Sequence, residues 1–85
     1  MKVTVKFFAS LRETLKTSQE LLDVPVGVTT VADLRHHLRA RGDLWAEVLA
    51  EGKAIRMALN HEMVDGGVAL VDQAEVAFFP PVTGG

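Results

Sequence analysis

The chain has 85 residues, the length of one small domain, and we expect a single domain over residues 1–85. Its hydrophobic content of 48% is enough for a core, while its formal net charge of -2 gives no general attraction to nucleic acid or anionic membrane. The absence of cysteine excludes disulfides, thiolate nucleophiles and Cys-based metal sites. No stretch approaches the roughly 20 apolar residues of a membrane span. We therefore expect a soluble, cytoplasmic protein.

The first quarter of the chain predicts two strands separated by a short helical turn. Apolar residues at alternate positions from Val3 to Phe7 have the period of a half-buried strand, which places Phe8 on its polar face. Residues 11–15 could form a helical turn. Residues 21–24 read as a second strand, ended by Pro25 and the glycine that follows.

The main helix is predicted to begin at Thr30. Thr30 is a plausible N-cap residue, and Asp33 is placed to complete a capping box. Apolar residues then follow at helical spacing: Val31, Leu34 and Leu38. Gly42 lies where a C-cap glycine is expected. Apolar residues in 44–49 predict a further short helix closed by Gly52.

The second half of the chain predicts three more strands. Residues 55–59 alternate as a strand, residues 60–61 form a turn, and Met63 begins a short strand. Residues 68–71 extend the sheet or lie in a loop. Residues 74–79 form the final strand. The order of these elements predicts an α+β fold, in which one main helix covers a mixed sheet.

The carboxyl-terminal segment carries the strongest functional signal. Because proline cannot donate to a strand ladder, Pro80 and Pro81 end the sheet at Phe79 and favour an extended, stiff segment. Gly84 and Gly85 have no side chains, so this end can enter a narrow channel where groups of another protein approach its carboxylate. The alternative is a frayed terminus without a role.

Other chemistry has less support in the sequence. His36 and His37 are adjacent on a helix, about 100° apart, and His61 is distant, so we expect no metal site. The chain lacks a phosphate-binding Gly-Lys loop, because Lys53 is not followed by Ser or Thr and Glu47 occupies the position of its first glycine. Activation of a terminal carboxylate therefore implies a separate partner that uses ATP.

A docking surface is predicted beside the carboxyl-terminal segment, residues 80–85, which we call the tail. In the final strand Val76 and Phe78 point to one face, so Phe79 points to the other. If the first pair faces the helix, Phe79 is exposed together with Phe8 of the first strand. Met63 can join them, because methionine adapts to more than one partner.

The chain resembles the MoaD family, the small subunits of molybdopterin synthase. The run from Val76 to Gly85, preceded by Glu75, resembles the end of that family, and the segments 3–9, 11–13, 30–34 and 58–60 are similar to its opening strand and turn, its helix start and its middle strand. One departure is visible at residues 72–75, where Asp-Gln-Ala-Glu replaces a more usual Asp-Gly-Asp-Glu turn.

This resemblance implies a β-grasp, ubiquitin-like fold and a role as sulfur carrier in molybdenum cofactor biosynthesis. Gly85 would be adenylated by an ATP-dependent activating enzyme (MoeB type) and converted by a sulfur donor protein to a thiocarboxylate. The tail would then enter the large synthase subunit (MoaE type) and pass sulfur to cyclic pyranopterin monophosphate. The enzyme would be a sulfurtransferase heterotetramer of two small and two large subunits, and this chain would bind no cofactor itself.

The resemblance also assigns the remaining residues of the site. Phe79 and Met63 match positions at partner interfaces, and the tail inserts into the large subunit. Together with Phe8 from the predicted docking surface, the partner-binding residues are Phe79, Pro80, Pro81, Val82, Thr83 and Met63. Three alternatives stay open: a sulfur carrier for another pathway such as thiamin biosynthesis, a protein modifier that forms isopeptide bonds through Gly85, and an interaction module with an idle tail.

Overall fold

The structure is a computed structural model that describes residues 1–81. Its elements are β1 (Lys2–Phe7), α1 (Ala9–Leu15), β2 (Gln19–Asp23), α2 (Val31–Arg39), α3 (Asp43–Val48), β3 (Arg56–Leu59), β4 (Glu62–Val64) and β5 (Glu75–Phe79). The strands form one sheet in the order β2-β1-β5-β3-β4. β1 and β5 are parallel and the other pairs are antiparallel. The predicted α+β fold with a mixed sheet is confirmed, and the last strand lies at its centre.

One face of the sheet forms the core with the helices. The alternate residues of β1 and β5 that face inward are almost completely buried: Val3, Val5, Phe7, Val76 and Phe78. They belong to the same apolar cluster as the buried side of α2, which comprises Val31, Leu34 and Leu38. Phe7 joins the layers, because its ring stacks on Phe78 at 6.1 Å and meets the edge of Trp45 from α3 at 5.4 Å. The period-2 and helical patterns therefore predicted the buried faces correctly.

The N-terminus of α2 has the predicted capping box. The Thr30 hydroxyl accepts a hydrogen bond from the Asp33 amide at 3.1 Å, and the Asp33 carboxylate accepts one from the Thr30 amide at 3.1 Å. The Asp33 carboxylate also accepts from the amide and hydroxyl of Thr29. These donors, the Thr29 amide first, hold the pKa of Asp33 below its usual range.

The prediction that Gly42 caps the C-terminus of α2 is wrong. The helix ends with Ala40 in a right-handed conformation, and the Ala40 amide still donates back to the His36 carbonyl. The chain needs a positive φ only where it reverses into α3, and there Gly42 is the N-cap residue, with a φ of 81°.

One other segment differs from expectation, and for another the structure decides between two alternatives that the sequence left open. Residues 11–15 were expected to form one helical turn, whereas α1 already begins at Ala9, because Phe8 is an extended N-cap residue whose carbonyl accepts from the Leu11 amide at 3.1 Å. Residues 68–71 form a loop with a single bridge, between Thr30 and Ala69. This loop ties the strands to α2, because the Val68 carbonyl accepts from the Val31 amide at 3.0 Å.

The turn that departs from the family pattern contains a strained residue. Gln73 has a φ of 68°, a left-handed conformation that costs a side-chain-bearing residue about 1–2 kcal/mol. Its amide donates to the Lys2 carbonyl at 2.7 Å, and Asp72 accepts from the Lys2 amide at 2.9 Å, so the turn secures the start of β1. The Lys2 amide is the main reason why the pKa of Asp72 is lowered.

We expect Gln73→Gly to stabilise the protein by about 1 kcal/mol, because glycine adopts this φ without a steric penalty. The melting temperature should rise by roughly 4–8 °C, which thermal unfolding followed by circular dichroism can measure. Gln73→Ala is the matched control, since it removes the same side chain but keeps the unfavourable φ, and it should not stabilise. Equal melting temperatures for the glycine and alanine variants would contradict this account.

Candidate functional site

The central strand β5 carries the base of the tail. Its register places Phe78 between Phe7 of β1 and Met57 of β3, and it places Phe79 opposite Arg56 of β3. Pro80 is half-buried directly after the strand, and Pro81 is exposed. The predicted end of the sheet at Phe79 is thereby confirmed. The other predicted tail residues, which are Val82, Thr83, Gly84 and Gly85, lie outside the described part of the chain.

The face of the sheet turned away from the helices carries the predicted docking residues. We call it the open face. One row of residues crosses it from Lys6 through Ala77 and Ala58 to Met63. The alanines are small and nearly buried, whereas Met63 is 49% exposed. Met63 therefore offers an accessible apolar side chain on the strand at the sheet edge, as predicted.

Phe8 and Phe79 lie on this face as predicted, but the expectation that both are exposed is wrong. Their rings stack almost parallel, with centroids 4.7 Å apart and an angle of 10° between their planes, and both residues are half-buried. The Phe8 amide donates to the Phe78 carbonyl at 3.2 Å, which continues the pairing of β1 and β5 and sets the rings side by side. The pair forms a preassembled aromatic surface at the tail base.

Arg56 is a site residue that the sequence did not reveal. With Met63, Phe79 and Pro80 it lines a hollow of about 260 Å³ beside the start of the tail. We call this the Arg56 hollow. Only the pairing of β3 with β5 brings Arg56 next to Phe79, so no local pattern distinguishes it from other exposed arginines.

A second groove lies on the other side of the proline pair. It has a volume of about 240 Å³ and runs between α1, α3 and the two prolines, with Leu44 and Lys53 among its lining residues. Arg35 supports the segment that forms its wall, donating to the carbonyls of Leu49 at 2.8 Å and Lys53 at 3.0 Å. Burial is the first cause of the lowered pKa of Arg35. Pro80 therefore lines both the Arg56 hollow and this groove.

Neither a cluster of metal-ligating side chains nor a membrane-spanning helix was found within residues 1–81. Between residues 1 and 81, no three His, Asp or Glu side chains are grouped so that they could hold a metal ion. His61 lies 3.4 Å from the Glu75 carboxylate, which also binds Lys6 at 3.0 Å on the open face. In the same residues, no helix has the length and apolar character needed to cross a bilayer.

The sequence profile of the ThiS family matches residues 5–85. The molybdopterin synthase sulfur carrier subunit of Escherichia coli K12 is 43% identical over 83 residues, which are 98% of this chain and 99% of that protein. Among solved structures, SAMP1 from Haloferax volcanii has a TM-score of 0.80 and 29% identity, with both chains fully covered. One chain of the complex of subunits 1 and 2 of the molybdopterin-converting factor from Helicobacter pylori matches with a TM-score of 0.67 and 26% identity, and the match covers all of that chain and all of this one.

The mixed sheet, its helices and these structural matches define a ubiquitin-like β-grasp protein. Its carboxyl-terminal segment follows the central strand and adjoins an aromatic pair on the open face. The chain belongs to the ThiS family, and its relatives there are the small subunits of molybdopterin synthase, as the resemblance to MoaD predicted.

Proposed function

We propose that this chain is the sulfur carrier of a molybdopterin synthase, acting in the cytoplasm in molybdenum cofactor biosynthesis. The observation that carries the proposal is the position of Pro80 and Pro81 directly after β5, next to the stacked Phe8 and Phe79. The 43% identity to a molybdopterin synthase sulfur carrier subunit supports it over nearly the full length of both proteins. The working group is then the carboxylate of Gly85.

The chemistry proposed for Gly85 has three steps. One carboxylate oxygen attacks the α-phosphorus of ATP on an activating enzyme, pyrophosphate leaves, and an acyl adenylate forms. A persulfide on a donor protein attacks the acyl carbon and AMP leaves, which gives an acyl disulfide; a thiol then cleaves the acyl disulfide, releasing the thiocarboxylate and leaving a disulfide on the donor. The large synthase subunit then directs this sulfur to cyclic pyranopterin monophosphate, water cleaves the acyl–sulfur bond to restore the Gly85 carboxylate, and two such transfers complete the dithiolene of molybdopterin.

The chain's own residues support a role as the carrier, with activation and sulfur supplied by other proteins. It has no cysteine that could take sulfur from its own terminus, so the thiocarboxylate would be the sulfur-bearing group of this chain. Pro80 and Pro81 restrict the backbone at the start of the tail, which lowers the conformational entropy lost when the tail enters a channel. Gly84 next to Gly85 keeps that end slim.

The partner surface proposed for this function is the part of the open face that carries Phe8, Phe79 and Met63, together with the tail. The matching Helicobacter pylori structure is a complex of subunits 1 and 2 of its converting factor, which supports a large-subunit partner for this chain. Phe8, Phe79 and Met63 would contact that partner, and Pro80 to Thr83 would enter it. We propose a heterotetramer of two small and two large subunits, with ATP used only by the separate activating enzyme.

The test is the intact mass of the untagged protein after incubation with an activating enzyme, ATP and a sulfur source. We expect a fraction in which one oxygen atom at Gly85 is replaced by sulfur, located by fragmentation of the carboxyl-terminal peptide. A reaction without ATP is the control and should give only the unmodified mass. Unmodified protein in the complete reaction, with an activating enzyme shown to be active on another carrier, would overturn the proposal.

A protein modifier is the second candidate, and the structural match to SAMP1 favours it. SAMP1 is the small archaeal modifier protein 1, its structures from two archaea match this chain, and the match to one of them covers the full length of both chains. A modifier would form isopeptide bonds between Gly85 and lysine side chains. Peptides with a branched Gly-Gly remnant on lysine, lost when Gly85 is deleted, would support this role.

A further inference from the structure

Arg56 combines a positive charge with apolar surroundings at the base of the tail. It is exposed and lies on the open face opposite Phe79, and it shares its hollow with Met63, Phe79 and Pro80. Three of the four residues that line the hollow are therefore apolar. This composition is typical of the centre of a protein–protein interface, where arginine and aromatic residues are enriched.

Arg56 also differs from several other basic residues in its pairing. Lys6 binds Glu75 at 3.0 Å, Arg39 binds Glu51 at 3.3 Å, and Arg41 binds Glu20. None of the ion pairs found within residues 1–81 includes Arg56, although the chain has more acidic than basic residues. Water therefore solvates this guanidinium while the open face is uncovered.

Any protein that covers the tail base removes water from the Arg56 guanidinium, and here the inference rests on the proposed function. A partner that receives the tail next to Pro80 must pass over the adjoining Arg56 hollow and remove its water. Burying a guanidinium without a counter-charge costs several kcal/mol. The cost is avoided only if the partner brings acceptors that satisfy the forked N–H donors, and a carboxylate does so in a bidentate manner.

We propose that the Arg56 hollow receives a partner segment that carries an apolar side chain next to an aspartate or glutamate. The carboxylate binds Arg56, and the apolar side chain enters the space between Met63 and Phe79. A single guanidinium bordered by apolar residues suits one carboxylate better than a phosphate, because a phosphate site gathers several donors. Since a basic partner residue at this place would be repelled, the hollow also selects among partners.

The test measures the affinity of the large synthase subunit for the untagged chain by calorimetry at two salt concentrations. We expect Arg56→Glu to bind about tenfold more weakly, a loss of about 1.4 kcal/mol, and Arg56→Gln to lose part of the salt dependence. The matched control is Lys2→Glu, the same charge reversal on the same face. It lies about 17 Å from Phe7 at the tail end of β1, given five steps at the usual strand rise, and should bind as the unchanged chain does.

A charge reversal in the partner tests the contact directly. Reversing the charge of the partner carboxylate at the contact should weaken binding to the unchanged chain and restore binding to Arg56→Glu. Affinity for Arg56→Glu equal to that of the unchanged chain would overturn the proposal. It would also be overturned if Arg56→Gln altered the titration of the chain's own terminal carboxylate in NMR spectra of the free protein, because the occupant would then be the tail.

The proposed function is checked in the same samples by the sulfur-dependent mass increase of the unchanged chain. A chain that gains sulfur but binds equally well with arginine or glutamate at position 56 contradicts the Arg56 proposal alone. A chain that never gains sulfur contradicts the proposed function, whatever its affinity. Thermal unfolding of each variant confirms that a change in affinity does not arise from unfolding, since Arg56 is exposed.

Discussion

Adding one alanine after Gly85 is expected to abolish sulfur loading and leave folding unchanged. The Gly85 carbonyl becomes part of a peptide bond and offers no carboxylate oxygen to attack ATP, while the new terminal carboxylate lies one residue farther out on an alanine whose methyl group a narrow channel excludes. The site of addition lies beyond the described residues 1–81, which contain the core. The intact mass after incubation with activating enzyme, ATP and sulfur source reports loading, and thermal unfolding reports the fold.

Two further variants sharpen this prediction. An alanine inserted after Val26, which is fully exposed in the turn between β2 and α2, adds the same mass without altering the carboxyl end and should preserve loading.

Deletion of Gly85 should prevent sulfur transfer, whereas an interaction module with an idle tail would keep its function. Gly84→Ala should fold normally but react more slowly, because the added methyl group widens the tail. A normal rate in Gly84→Ala would contradict the narrow-channel argument.

Gly66→Ala is expected to lower the free energy of unfolding by about 2 kcal/mol, an effect typical of overpacking. A methyl group at position 66 would lie 2.8 Å from the Ala32 Cβ on α2, closer than carbon atoms can approach. Neither atom can rotate away, and separating the backbones would strain the 2.8 Å hydrogen bond from the Ala32 amide to the Gly66 carbonyl. The melting temperature should fall by roughly 10 °C.

The chain offers a control and a rescue for this prediction. Gly52→Ala introduces the same methyl group where nothing lies within 4 Å, and it should change stability little. In the Gly66→Ala background, Ala32→Gly removes the opposing methyl group and should recover part of the loss, although glycine in a helix costs up to about 1 kcal/mol. Additive effects of the two substitutions would show that the steric account is wrong.

The sequence predicted features whose cause is local. The capping box of Thr30 and Asp33 depends on residues three apart, and the buried alternation from Val3 to Phe7 depends on the period of a strand. Gly42 shows the limit of such signals. A positive φ suits both the end of one helix and the beginning of the next, so glycine alone does not distinguish the two.

Features that depend on strand pairing were missed or misjudged. Phe8 and Phe79 were placed on the correct face, but their mutual stacking arises from the parallel pairing of β1 and β5, which joins opposite ends of the chain. Arg56 enters the site only through the register of β3 against β5. Gly66 is likewise distinguished from its neighbour Gly67 only by the close approach of Ala32.

The parallel pairing of β1 with β5 also ties the site to protein synthesis. β5 follows the other strands in chain order, so during synthesis β1 meets its parallel partner only after those strands have been made. The aromatic pair that adjoins the tail is assembled by the same event. A chain that stops before β5 therefore lacks both the centre of the sheet and the aromatic surface at the tail base.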